Sequence, residues 1–399
     1  MKSFFKNPCN IYFSFWCLYL LQGSLYPNGS LLSQILIFII LLISIKHTYV
    51  LLHNNDNPMY LKGLTLLISL FTIYGVALFF TDGLTVHSVG GRIVPSKNYL
   101  QHLLTSLLPI YSCYYYAKKG HLNQQMLSVW FFIFFVVAIS DYYEMQTQLL
   151  KDLSERDSDL EETTNNAGYV MLSLIPCVLI FDKKPILQYI GMGICITLVI
   201  ASVKRGAIII SALALVMFIW HKLKTTNGYK KILVVLAVSL GLFMLAHYIQ
   251  DLLLNSEYFN KIIDKTLEGN SSHRDEIFSF FIGNFMYKAD WLQMFFGYGA
   301  DGTFKLNNTF AHNDWLEILT NQGLIGLFIF FFYWFSFVFS TRRLNLSKES
   351  KFTLNLIIVM FFVKTFFSMS IGDMSIYTNS MIGFALNNGL KNKTVDNYI

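Results

Sequence analysis

The sequence predicts an all-α polytopic membrane protein with about 12 transmembrane helices and one long extramembrane loop. Three observations carry this. Hydrophobic residues make up 54% of the 399 positions and charged residues only 14%, against roughly 25% charged in an average soluble domain. Mean hydropathy is +0.47, with 37 Phe and 23 Tyr. Apolar runs recur from end to end, so lipid is the solvent for most of the chain. About 12 spans of roughly 20 residues occupy about 240 positions. That leaves no room for a separate nucleotide-binding domain, and neither a P-loop nor a dinucleotide-binding glycine fingerprint occurs in the sequence.

The expected spans are residues 11–25, 31–45, 60–80, 100–116, 122–139, 167–181, 185–203, 207–223, 232–248, 324–340, 352–371 and 374–390. The first two and the last are short or interrupted by polar residues. Nine spans thus precede residue 250, an extramembrane loop with a short amphipathic helix fills 251–323, and three spans and a tail complete one integral domain. Lys2 and Lys6 ahead of an apolar stretch resemble the opening of a signal peptide, but no small-x-small cleavage site follows, so an uncleaved first span is expected. Placing the N-terminus inside puts 18 of the 30 Lys and Arg on seven short cytoplasmic segments. The basic residues sit in small groups between apolar runs, the pattern of topology signals rather than of a nucleic-acid-binding stripe. Cys9, Cys17, Cys113, Cys177 and Cys195 form no CxxC pair and lie in or beside apolar runs, as buried small hydrophobes do.

Two outer segments stand out. Residues 141–166 carry eight Asp or Glu against Lys151 and Arg156. Asp157-Ser158-Asp159 within it has the form of a metal-binding DxD, but it lies in a solvated acidic run on the outer side, away from cytosolic nucleotide sugars, and chance is the better reading. The 73 residues of 251–323 are the only segment large enough for a folded element outside the lipid. Lys364 falls about eight residues inside its span, and intramembrane ionisable groups are functional candidates by default.

Residues 308–332 read NTFAHNDWLEILTNQGLIGLFIFFF. Asp314 with Glu317 three residues later fits a capping box, Asp314 as N-cap and Glu317 at N3. Trp315, Leu316 and Leu319 give an apolar stripe, Gly323 a helix C′ residue, and a span begins at Leu324. His312 therefore sits just ahead of a helix N-terminus, where orphan N–H groups and the dipole favour an anion. It either hydrogen-bonds the helix start or, as a neutral imidazole, serves as a general base.

His312-Asn313-x-x-Leu316-Glu317, followed by Gly323-Leu324-Ile325-Gly326 and a span, resembles the signature of the O-antigen ligase and polymerase superfamily of bacterial integral-membrane glycosyltransferases. Ser202-x-Lys204-Arg205-Gly206-Ala207 is similar to that family's Ser-Arg-Gly-Ala element, with Lys204 inserted where relatives place serine directly before arginine. Arg274 and the Gly297-Tyr298-Gly299 turn resemble its loop arginine and Gly-x-Gly. The match covers roughly residues 202–332; the first 200 match in hydropathy only.

The resemblance implies a multi-pass enzyme of the bacterial inner membrane with its active site facing the periplasm. The donor would be an oligosaccharide on undecaprenyl pyrophosphate and the acceptor a sugar hydroxyl of a glycolipid. It further implies an inverting transfer without metal or cofactor, with membrane lipid around it, a chain-length regulator as an optional partner and no nucleic acid. Within it His312 is the catalytic base, and Arg205, Arg274 and Lys204 grip the donor pyrophosphate. Asn313, Asp314, Glu317, Gly299, Gly323 and Gly326 shape the site. Arg205 snorkelling to headgroups and Arg274 solvated in a loop are the plain alternatives. A polymerase extending a lipid-linked repeat unit is favoured over a ligase acting on lipid A–core. A lipid-linked sugar flippase is the alternative of another class, against which stand the absence of internal repeats and spans with few ionisable groups beyond Lys364 and His102.

Overall fold

The computed structural model is 79% helical with almost no sheet; it describes residues 6–53, 57–155, 166–229, part of 231–251 and 274–395. The chain divides into two compact units, residues 1–137 with 274–399, and residues 138–273. The first unit holds α1 (Pro8–Leu20), α2 (Leu31–Leu52), α3 (Met59–Thr81), α4 (Lys97–Leu107), α5 (Pro109–Lys118) and the start of α6 (Gln124–Glu155). An antiparallel hairpin, β1 (Thr85–His87) and β2 (Ile93–Pro95), lies between α3 and α4. The second unit holds the end of α6, α7 (Ala167–Val178), α8 (Pro185–Ala201) and α9 (Arg205–Thr225). The first unit then resumes with α10 (Arg274–Tyr287), α11 (Trp291–Phe296), α12 (Gly302–Asn307), α13 (Asp314–Arg343), α14 (Lys348–Phe367) and α15 (Ile376–Val395).

Among the described residues six helices are long and apolar enough to cross a membrane: α2, α3, the first 26 residues of α6, α9, α13 and α14. Their packing inverts the pattern of a soluble protein. Phe80, Phe328 and Phe38 are exposed, whereas the buried faces add Ser, Tyr, Asn and His to their Leu, Ile and Phe. Bringing apolar helices together inside lipid gains little hydrophobic energy, so small residues and interhelical hydrogen bonds must hold them. On α3, Gly63 lets α13 approach until a Cβ would strike Ser336, and the Tyr60 ring stacks on Phe337 at 4.0 Å. The Tyr60 amide donates to Ser340 Oγ at 2.8 Å. On α15, Gly383 rests against the Cys113–Tyr114 backbone of α5, while Asn387 Nδ2 donates to Ala117 O at 2.9 Å. Tyr12, Ser44, Ser112 and His47 form a buried chain joining α1, α2 and α5. All five cysteines are buried free thiols.

The structure corrects several expected boundaries. Residues 100–116 are two helices, because Pro109 has no N–H to continue the ladder past Leu108. The Ser106 carbonyl at this break accepts from Asn379 Nδ2 at 2.8 Å. The acidic segment is no loop as far as Glu155, since α6 runs 32 residues; Asp157-Ser158-Asp159 lies outside the described residues. The span at 324–340 is the second part of a 30-residue helix beginning at Asp314. Within 251–323 the described part is three short helices and the first turns of α13, and α12 packs with the hairpin: Val86, Leu78, Ala300 and Phe304 share one small core. Helix α14 ends at Phe367, so Lys364 is in its last turn rather than eight residues deep, yet it is buried at 3% exposure. Trp16 and Trp334 are packed between helices, and Trp220 and Trp291 are exposed.

The close helix contacts give a direct test. Gly383→Ala sets a Cβ about 2.5 Å from Cys113 and Tyr114 backbone atoms, an overpacking that costs about 1–3 kcal/mol. Gly283→Ala on α10 meets nothing within 4 Å and serves as control. Thermal melts in detergent should show a lowered midpoint for the first and an unchanged or raised one for the second.

Candidate functional site

The first turn of α13 organises the residues around His312. Its N-cap is Asn313, one residue earlier than the expected Asp314: in extended conformation, Asn313 Oδ1 accepts from Trp315 N at 2.9 Å and Leu316 N at 3.2 Å. Asp314 turns inward, buried, and its Oδ2 accepts from Ser370 N at 2.7 Å. Glu317 is not the second half of a capping box either. Its buried carboxylate accepts from Ala311 N at 2.6 Å through one oxygen and from Thr303 Oγ1 at 2.7 Å and Asn321 Nδ2 at 3.1 Å through the other. Asn321 Oδ1 in turn accepts from Thr303 N at 2.9 Å. One buried acid thus ties α12, the 308–312 connection and α13 together.

The glycines explain the rest of the frame. At Gly323, φ is 66° and ψ is −160°, and α13 kinks there. Gly297 has φ 73°, and the two glycines cross so closely that a Cβ on Gly323 would lie about 2.5 Å from the Phe295 carbonyl group. Thr320 O and Asn321 O, in the turn before the kink, accept from Tyr298 N at 2.8 Å and Gly299 N at 3.0 Å. A bent helix that leaves buried carbonyls exposed would be unstable, and the Gly-x-Gly strand supplies the donors. Gly326 leaves room for Gln322, whose Nε2 donates to Tyr99 OH at 2.7 Å.

His312 is half-buried and held in a left-handed conformation, φ 52°, between Ala311, tethered to Glu317, and the Asn313 cap. Non-glycine residues rarely take this conformation; it costs of order 1–3 kcal/mol and persists where the surroundings over-determine it. Three consecutive groups on the other side meet the end of α14. Arg274 Nη1 donates to Phe367 O at 3.0 Å, Asn313 Nδ2 to Phe366 O at 3.4 Å, and Trp315 Nε1 to Thr365 Oγ1 at 2.8 Å. These bonds place the Arg274 guanidinium in the immediate neighbourhood of the residue that follows His312. A guanidinium has five donors in a rigid fork, so one bond to the frame fixes its plane and leaves donors for an anion. Buried Lys364 lies one turn back on α14, its Nζ 6.0 Å from the Phe361 ring centroid.

Lys204 and Arg205 belong to the second unit. Lys204 is the N-cap of α9, its Nζ 5.8 Å from the Tyr169 ring centroid, and half-buried Arg205 is the first helical residue. Buried Ser202 packs against Gly168, and Val203 has φ 55°, an outlier for a β-branched residue. Two cations thus stand at a helix N-terminus, the end of the dipole that favours negative charge.

Of the residues read from sequence, the structure therefore gathers Arg274, His312, Asn313, Asp314, Glu317, Gly299, Gly323 and Gly326 into one frame, and Lys204 with Arg205 into a second. Sequence reasoning missed Thr303, Asn321, Gln322 and Ser370. The available signal was the polar triplet Thr320-Asn321-Gln322 interrupting an apolar helix.

Removing the Glu317 carboxylate should strip acceptors from buried donors, about 1–3 kcal/mol each. Glu317→Ala is expected to lose about 2–5 kcal/mol in denaturant or thermal unfolding. Asp301, beside this frame, gives a pH dependence. Burial pushes its carboxyl up to about 6, with the Asp82 charge adding and Lys305 opposing. The folded state thus holds this proton more tightly than the unfolded chain, whose carboxyl titrates near about 3.9. Its ionisation costs stability above pH 6, and the cost vanishes as pH falls through about 6 towards 4. Asp301→Asn, also at ease with φ 54°, should stabilise by about 2–3 kcal/mol at pH 8 and by little at pH 4, read from melts across that range.

Compared with family models, with curated proteins and with solved structures, the chain finds no match.

Proposed function

We propose that this protein is a membrane glycosyltransferase of surface-polysaccharide assembly, acting as a polymerase on lipid-linked repeat units. The observation that carries the reading is the backbone of His312: a left-handed residue fixed on one side by Glu317 and on the other by its Asn313 neighbour, while Arg274 and Asn313 donate to the adjacent carbonyls of Phe367 and Phe366. A half-buried imidazole with a fixed backbone, in a frame that also holds a guanidinium, supports acid–base chemistry on an anionic substrate. The sequence resemblance supplies the substrate class, undecaprenyl-pyrophosphate-linked oligosaccharide.

In this proposal a bilayer-embedded donor presents its anomeric carbon at the periplasmic face. His312 takes the proton of the acceptor hydroxyl as that oxygen attacks, and the pyrophosphate departs with the bonding electron pair. Arg274 stabilises the charge that grows on the leaving group, and Arg205 and Lys204 of the second unit keep the donor-binding role that the resemblance implies. The strained Val203 turn ahead of Lys204 and Arg205 supports a role for that pair. Twelve spans, both ends inside and the inner-membrane location belong to the same proposal.

Expected outcomes are specific. In proteoliposomes, His312→Ala should lower chain growth on polyprenyl by about 10²–10⁴-fold while leaving donor binding within a few-fold. Arg274→Lys keeps the charge but not the fork, so it should weaken donor binding and turnover about as much as Arg274→Gln. Elongation with lipid-linked repeat units alone supports the polymerase; product only on adding lipid A–core assigns a ligase instead. If His312→Ala abolished passage of lipid-linked sugar between leaflets, the protein would be a transporter.

A further inference from the structure

The second unit contains an apolar groove of about 550 Å³ between α8, α9 and the residues Gly241, Met244 and Tyr248, within the usual size range of small-molecule sites. Helices α8 and α9 are joined by three residues and run antiparallel: Tyr189, near the start of α8, meets Phe218, near the end of α9, at 5.7 Å between ring centroids. Both rings line the groove. Its far end lies at Leu198, so it follows α8 for about 14 Å at 1.5 Å per residue.

The Tyr189–Phe218 end is strongly basic. Lys222 Nζ is 5.6 Å from the Phe218 ring centroid. Lys224 follows on the last turn of α9, and Lys183 and Lys184 immediately precede α8. Antiparallel pairing brings these four lysines to one end, against the single carboxylate of Asp182. An apolar trough ending in cations matches one lipid with a negative headgroup, its chain along α8 and its phosphate among the lysines. This end is separate from Arg205: the 17 residues between Arg205 and Lys222 span about 25 Å of helix. A headgroup held here is therefore not the diphosphate assigned to Arg205, and the site does not depend on the glycosyl-transfer reading.

We propose that the α8–α9 groove binds one anionic glycerophospholipid, with its acyl chain in the trough and its phosphate at Lys183, Lys184, Lys222 and Lys224. The test is native mass spectrometry of the full chain in detergent, titrated with phosphatidylglycerol or phosphatidylcholine of identical acyl chains. One phosphatidylglycerol should bind at least about tenfold more tightly than phosphatidylcholine, as several lysines near a headgroup predict. Changing the four lysines to glutamine (K183Q, K184Q, K222Q and K224Q together) should erase the preference. Gly193 lines the groove with nothing within 4 Å of its missing Cβ, so Gly193→Leu should fill the trough and abolish binding of both lipids with the melting temperature unchanged. Gly241→Leu, equally unobstructed, replaces it if that variant does not fold. Equal affinity for the two lipids, a preference that survives the lysine changes, or binding that survives a folded groove-filling variant would each overturn the proposal. Displacement of phosphatidylglycerol by equimolar polyprenyl phosphate would overturn the assigned occupant.

Discussion

Helix α13 bends at Gly323 because the chain from Phe295 to Gly297 runs across it, with no room for a side chain on either glycine. Everything near His312 follows from that crossing. The kink leaves the turn 318–322 facing away from the axis of the span, and Tyr298 and Gly299 cap its carbonyls. Asn321 and Glu317 then project towards α12, where Thr303 donates to both. The second Glu317 oxygen reaches Ala311, which fixes where the chain enters the helix and forces His312 into its left-handed turn. A straight helix through 314–343 would have no reason to gather these groups.

The same economy governs the helices around it. With no water in hydrocarbon to satisfy polar groups, the buried faces form hydrogen-bonded chains such as Tyr12–Ser44–Ser112–His47 and the Tyr60–Tyr333 contact. The aromatic rings exposed on α2, α3 and α13 need no such partners. Donors from elsewhere also repair backbone breaks: the Asn379 side chain satisfies Ser106 O at the Pro109 interruption, and the Gly299 backbone N–H satisfies Asn321 O at the kink. Asparagine amides suit this task because they bring donors to a carbonyl without introducing a charge.

What the sequence made legible follows from which forces are local. Hydropathy located residues 167–181 to the residue, as the buried α7 and its short 3₁₀ extension, an apolar helix shorter than the six candidate spans, because polar Asn166 and Asp182 bound the apolar run. It failed at 100–116, where Pro109 breaks a run that is apolar throughout. The glycines Gly297, Gly299 and Gly323 were legible as special positions, but their mutual crossing was not, since sequence spacing carries no distance across 24 residues. Asn313 and Asp314 are both good N-caps, and the choice fell to Asn313 because Ser370 N claims the Asp314 carboxylate. Glu317 looked like a cap partner for the same local reason; its true donors, at positions 303 and 311, are set by tertiary packing.

Two backbone outliers bear on the proposed chemistry together. Val203 and His312 occupy the left-handed region without being glycine, each within two residues of a candidate side chain. A turn relieved by glycine would be cheaper at either place by of order 1 kcal/mol; glycine takes such turns at 297, 299 and 323, and Asp301 and Asn308, residue types that tolerate the conformation, take two more. Strain tolerated at His312 has a natural account if the imidazole must be presented there. At Val203 the account is different in kind: the turn delivers two cations to the start of α9, against the helix dipole. Under the proposed function, each turn presents its neighbouring side chains to an anionic substrate, the imidazole in the first unit and the two cations in the second.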